Sequence, residues 1–166
     1  MKLPFLKGKG QSPQKETVSR YFTFIEQPMD VVWEAVGQFG DASWWPEEAV
    51  ISFSREAQGD LKEGELLIRA MSGLLAPVSE VQITKFVPKQ IIEWTFEKGY
   101  LKGTESIALD ERYNGIKVIY EIRYEVRDPW RKIVWNILLK KAQDKEVARI
   151  LDVLKEHCNA QSKDTL

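Results

Sequence analysis

The chain predicts an α+β domain in which an antiparallel sheet is followed by one long C-terminal helix. Three observations carry that expectation. From Val50 onward, β-rich stretches follow one another with only turn signals between them, which implies a meander rather than strand-helix-strand units. The last stretch, Ile116–Arg127, alternates cleanly behind an Asn114-Gly115 pair. Finally, Asp128-Pro129 opens a helical pattern that reaches the polar C-terminal tail.

The elements follow in order. Thr17–Glu26 is rich in aromatic and branched residues (Val18, Tyr21, Phe22, Phe24, Ile25) and predicts a first strand. Pro28 stops it and Asp30 can cap a short helix, whose apolar face is Val32, Ala35, Val36 and Phe39 and which Gly40 ends. Ser43-Trp44-Trp45-Pro46 leads into the ladder. The further strands are Val50–Glu56, Glu65–Met71, Val78–Val87, Gln90–Lys98, Thr104–Glu111 and Ile116–Arg127. Asn114-Gly115 suits a tight type I′ hairpin, since both residues accept a positive φ. In the last strand Ile116, Val118, Tyr120, Ile122, Tyr124 and Val126 share one face.

Along the final helix, Trp130, Ile133, Val134, Ile137 and Leu138 form one apolar face. Val147, Ile150, Leu151, Leu154 and Cys158 form another, rotated by roughly a quarter turn. That slip predicts a bend between Lys141 and Val147.

Composition narrows the function. At 166 residues the chain is one domain with a proper core, and 43% hydrophobic with 30% charged residues is a globular balance. Lys plus Arg total 24 against 25 Asp plus Glu, which argues against nucleic acid as the main partner. One cysteine, Cys158, excludes an internal disulfide framework. One histidine, His157, leaves no zinc-binding pattern and no triad motif, so neither a metal nor another cofactor is expected. No apolar run is long enough to cross a membrane, no secretory signal is legible, and a cytoplasmic protein is the default expectation. Residues 1–16 read as a basic arm with a weak tether to anionic membrane as its functional option, residues 17–158 as the domain, and 159–166 as a polar tail.

The order of elements resembles the START-like helix-grip superfamily (SRPBCC), which includes polyketide cyclase/dehydrase-like and lipid-transport-like proteins. Phe24-Ile25-Glu26-Gln27-Pro28-Met29-Asp30-Val31-Val32-Trp33 is similar to its strand-to-helix opening I-x-x-P-x-x-x-V-W. Trp45-Pro46 is similar to the W-P after its first helix, and Phe86-Val87-Pro88-Lys89-Gln90-Ile91-Ile92 to a turn between central strands. The resemblance implies a seven-stranded antiparallel sheet wrapped around the C-terminal helix, with two short helices closing one end of an apolar cavity. It implies binding of a small hydrophobic molecule such as a lipid, quinone or polyketide. The alternatives it carries are a cyclase/dehydrase-type enzyme and an interaction module like the Hsp90-activator branch.

Strand phase selects candidate ligand-binding residues. Ile92, Trp94 and Phe96 share a face that should point inward, as should Ile107 and Leu109, which take Glu105 with them. Glu105 is either an inward carboxylate able to orient a ligand or move a proton, or a wet residue at the sheet rim. If Leu67 and Met71 face inward, so does Arg69, and an Arg69–Glu105 pair becomes possible; the opposite phase makes Arg69 surface. Tyr120 and Tyr124 offer phenolic donors, or fill the core. Of the two adjacent tryptophans, Trp45 is the better core plug, and Trp44 the better contact for solvent or a partner. Val134 and Ile137 are assigned to the helix side of the cavity. The expected lining is therefore Trp45, Met71, Trp94, Phe96, Glu105, Ile107, Tyr120, Tyr124, Val134 and Ile137, with no catalytic residue assigned. Without a histidine base among them, an enzyme is the lesser expectation.

Overall fold

The computed structural model describes residues 16–39, 43–73 and 75–161. Seven strands form one sheet: β1 (Thr17–Ile25), β2 (Ile51–Arg55), β3 (Leu66–Met71), β4 (Val78–Val87), β5 (Ile91–Lys98), β6 (Leu101–Arg112) and β7 (Gly115–Val126). Their order is β1-β7-β6-β5-β4-β3-β2. Strands β2 to β7 are thus a meander, while β1 pairs with β7 from the far side, Tyr21 opposite Tyr120. Consecutive strands β1 and β2 lie at opposite edges of the sheet, with helix α1 (Met29–Gly37) in the segment between them.

Alternation fixes the two faces. In β7 the residues Ile116, Val118, Tyr120, Ile122, Tyr124 and Val126 are all buried. In β5 the buried set is Ile92, Trp94 and Phe96, and in β6 it is Leu101, Glu105, Ile107 and Leu109. Strand β3 takes the phase that buries Leu67, Arg69 and Met71. These residues form the concave face against which the C-terminal helix packs.

Three local expectations change. The β6–β7 hairpin turns on Tyr113-Asn114 instead of Asn114-Gly115, because Arg112 already pairs with Gly115. Neither Asn114 nor Gly115 has a positive φ. Gly115 is needed for room: a Cβ there would lie 2.3 Å from the carbonyl oxygen of Ile25 on β1. Helix α1 begins after Pro28 without a side-chain cap, and Asp30 forms an ion pair with Lys89 instead. It ends at Gly37, Gly40 lies outside the described residues, and residues 43–50 are turns. Among the described residues there is thus one short helix where two were expected. The basic arm, apart from Glu16, also lies outside the described residues, and the final helix continues to Gln161, past the expected boundary at 158.

The final helix starts as the sequence suggests, with Asp128 accepting a hydrogen bond from the Arg131 amide and Pro129 at the first turn. It has three parts: α2 (Pro129–Val134), a π-helical turn (Trp135–Leu139) and α3 (Lys140–Gln161). The amide of Lys140 bonds back five residues, to the carbonyl of Trp135. One extra residue in a turn rotates everything on one side of it by about 100° relative to the other. That accounts for the quarter-turn slip in the apolar pattern and places it earlier than Lys141–Val147. It also changes which residues face the sheet. Val134, Trp135 and Leu139 are buried, whereas Trp130, Ile133, Ile137 and Leu138 are exposed by 72%, 50%, 70% and 53%. Ile137 therefore does not line the interior. The reason is the size of Trp135, the largest apolar side chain available in this turn. It is fully buried, stacks edge-on against Tyr124 and donates its Nε1–H to the Tyr124 hydroxyl at 3.1 Å.

Candidate functional site

Five polar side chains meet inside the grip. Strand β3 supplies Arg69, β5 Trp94, β6 Glu105 and β7 Tyr120, each through the inward phase of its strand; α3 supplies Gln143. Each is at most 1% exposed. A buried carboxylate and guanidinium are stable only if paired and hydrogen-bonded, and here each is the other's partner. Arg69 Nε donates to Glu105 Oε2 at 2.8 Å and Nη2 donates to Oε1 at 3.1 Å, a two-pronged ion pair. Trp94 Nε1 donates to Oε2 at 2.9 Å and the Tyr120 hydroxyl donates to Oε1 at 2.6 Å. Each carboxylate oxygen thus receives two hydrogen bonds, which fills the acceptor capacity of Glu105. The Arg69 guanidinium also lies over the rings of Phe53 and Phe96, at 5.9 and 5.5 Å from their centroids.

Protonation follows from this packing. Burial, and next the Glu105 charge, push the Tyr120 hydroxyl well above its ordinary value, although Arg69 opposes the shift. Burial presses on the Arg69 charge, but the Glu105 carboxylate outweighs it and the guanidinium is held above its ordinary value. Tyr120 is therefore a permanent donor and Arg69 a permanent cation.

Gln143 differs from the other four. Its Oε1 accepts from Arg69 Nη2 at 3.1 Å, but its Nε2 is buried with no hydrogen-bond partner. The cost of leaving such a donor unsatisfied is about 1–3 kcal/mol. An amide nitrogen left unspent beside this network can take a further acceptor, such as a carbonyl, ether or hydroxyl oxygen.

The expected lining residues divide. Trp94, Glu105 and Tyr120 belong to the network, and Phe96 packs on it. Met71, Ile107, Tyr124 and Val134 are buried in the surrounding core. Trp45 is half-buried, with its Nε1 donating to Ile51 O at 2.9 Å and its ring against Phe39 and Phe53. Trp44, expected to meet solvent or a partner, is instead buried and donates to Ala35 O at 2.9 Å. Adjacent residues in a turn are free of strand alternation, so both rings can pack inward. Ile137 is on the outer surface. Gln143 carried a signal that periodicity could have read: it lies four residues from both Leu139 and Val147, a polar side chain inside an apolar stripe. The π turn upstream hid that stripe.

A seven-stranded antiparallel grip around a helix, with its polar groups gathered on the concave face, defines the class. The chain belongs to the polyketide cyclase/dehydrase and lipid transport family, whose model matches residues 17–159. No curated protein matches it in sequence. Among solved structures it is similar to TTHA0849 of Thermus thermophilus (15% identity, TM-score 0.68, 88% of this chain and 99% of that one). It is similar to the Zhui aromatase/cyclase of a Streptomyces species at 10% identity (TM-score 0.66, 89% and 96% covered). It is also similar to the major latex-like protein of Panax ginseng at 18% identity (TM-score 0.52, 78% and 96% covered). Among the described residues no helix is long and apolar enough to cross a membrane.

Proposed function

We propose that the protein binds a small, mainly apolar molecule of the lipid, quinone or polyketide kind between the concave face and the C-terminal helix. Gln143 Nε2 anchors its one polar oxygen. The observation that carries this reading is the buried, unpartnered Gln143 amide nitrogen beside a carboxylate whose own bonds are complete. Membership of a family described by cyclase/dehydrase chemistry and lipid transport supports it. A binding role is favoured over proton-transfer catalysis because Glu105 has no acceptor capacity to spare and Tyr120 does not release its proton near neutrality.

Native mass spectrometry of the purified protein tests the proposal, together with titration of a long-chain fatty acid and a benzoquinone against tryptophan fluorescence. Trp94, in the network, and Trp135, buried under the helix, are the expected reporters. Binding that is weakened at least tenfold in Gln143→Leu, with the fold retained, supports the proposal. Absence of any copurifying molecule and of any fluorescence response overturns it.

A further inference from the structure

The π turn that buries Trp135 leaves a coherent apolar face pointing away from the protein. Trp130, Ile133 and Ile137 follow one another at helical spacing, with Leu138 beside them, and all four are at least half exposed. Most exposed apolar residues elsewhere on the chain are isolated or lie on strands; such single residues are ordinary. The charges around this face have one sign. Residues 127–145 hold six basic side chains and two acids, in a chain whose net charge is -1. Both acids are engaged: Asp128 caps the helix and pairs with Arg131, and Asp144 pairs with Lys140 and accepts from Tyr21. Lys132 and Lys141 are exposed on the same stretch of helix as the apolar residues.

We infer that this face, Trp130-Ile133-Ile137-Leu138 with Lys132 and Lys141, docks the protein on an anionic lipid surface. A helix that is apolar on one side and flanked by lysines, with a tryptophan at its end, suits the boundary between headgroups and acyl chains. Charge complementarity selects this occupant. Pairing the face with itself in a second copy would bring the lysine rims together, whereas an anionic bilayer neutralises them. The inference does not depend on the ligand proposed above, because none of these residues touches the Gln143 network.

Cosedimentation of the full chain with vesicles tests it. Vesicles of equal parts phosphatidylserine and phosphatidylcholine should retain the protein, and vesicles of phosphatidylcholine alone should not. Two double variants, I133S/I137S and K132E/K141E, should each weaken retention at least tenfold. One interfacial basic residue contributes about 1 kcal/mol, or roughly fivefold, so two suffice for that loss. All four positions are exposed, so thermal melting should stay near that of the parent. Equal binding to both vesicle types overturns the inference, as does an absence of binding. Undiminished binding of both variants also overturns it, since another basic segment would then hold the vesicle. A concentration-dependent dimer abolished by I133S/I137S would instead make the face an interface between copies.

Discussion

Removing one half of the buried ion pair is the sharpest test of the network. In Arg69→Met the methionine fills much of the arginine volume, but Glu105 keeps its charge at 0% exposure with only Trp94 and Tyr120 as donors. Stranding a buried charge in this way costs about 3–5 kcal/mol. For a domain of this size that is roughly 3 °C per kcal/mol, or a loss of ~10–15 °C in Tm. Glu105→Gln strands the guanidinium instead and should cost a similar amount. The double variant R69M/E105Q strands no charge, and its glutamine carbonyl still accepts from Trp94 and Tyr120. It should be more stable than the sum of the single losses by about 2–3 kcal/mol. Chemical denaturation of the four proteins measures these differences. Losses that add to within about 0.5 kcal/mol would refute the reasoning.

Four further outcomes are expected. Gln143→Leu should cost the unliganded protein only about 1 kcal/mol, because the lost bond to Arg69 is largely offset by removal of an unsatisfied donor; chemical denaturation measures this. Deleting exposed Asn136 should convert the π turn to regular helix at a cost of about 1 kcal/mol or less, whereas deleting exposed Ala148 should rotate Ile150, Leu151, Leu154 and Cys158 off the sheet and prevent folding, as circular dichroism would show. Gly103→Ala should cost at least about 3 kcal/mol, since that residue has φ 134° and its Cβ would sit 2.0 Å from the Arg123 carbonyl oxygen. Cys158 should resist iodoacetamide at about pH 8 until the protein unfolds, because burial pushes its thiol up to about 11 and keeps it protonated.

The sheet was legible because strand alternation is a local signal. Once Val118, Tyr120 and Ile122 share a face, the inward position of the concave-face residues of β5 and β6 follows from pairing alone. Arg69 was ambiguous because β3 is apolar at Leu66, Leu67, Ile68, Ala70 and Met71, so both phases satisfy the pattern. Only a partner across the sheet breaks that tie, and Glu105 is three strands away. The helix face was misread at its start for a different reason. Periodicity assumes 3.6 residues per turn, and the π turn at Trp135–Leu139 violates it where Trp135 has most apolar surface to bury.

One choice of register connects the interior with the surface. If Trp130, Ile133, Val134, Ile137 and Leu138 faced the sheet, an unbroken helix would carry Lys141 and Lys145 inward on the following turns, and Arg69 would lose its bond to Gln143. Turning Trp135 and Leu139 inward aligns Gln143, Val147, Ile150 and Leu154 beneath them, and the Arg69–Gln143 bond locks that setting to the sheet. The displaced apolar residues must then face outward between lysines. The buried polar network and the exposed apolar face are two consequences of the same helix register. An Asn136 deletion that kept the turn's outward face but lost the Gln143 bond, or the reverse, would show them to be independent.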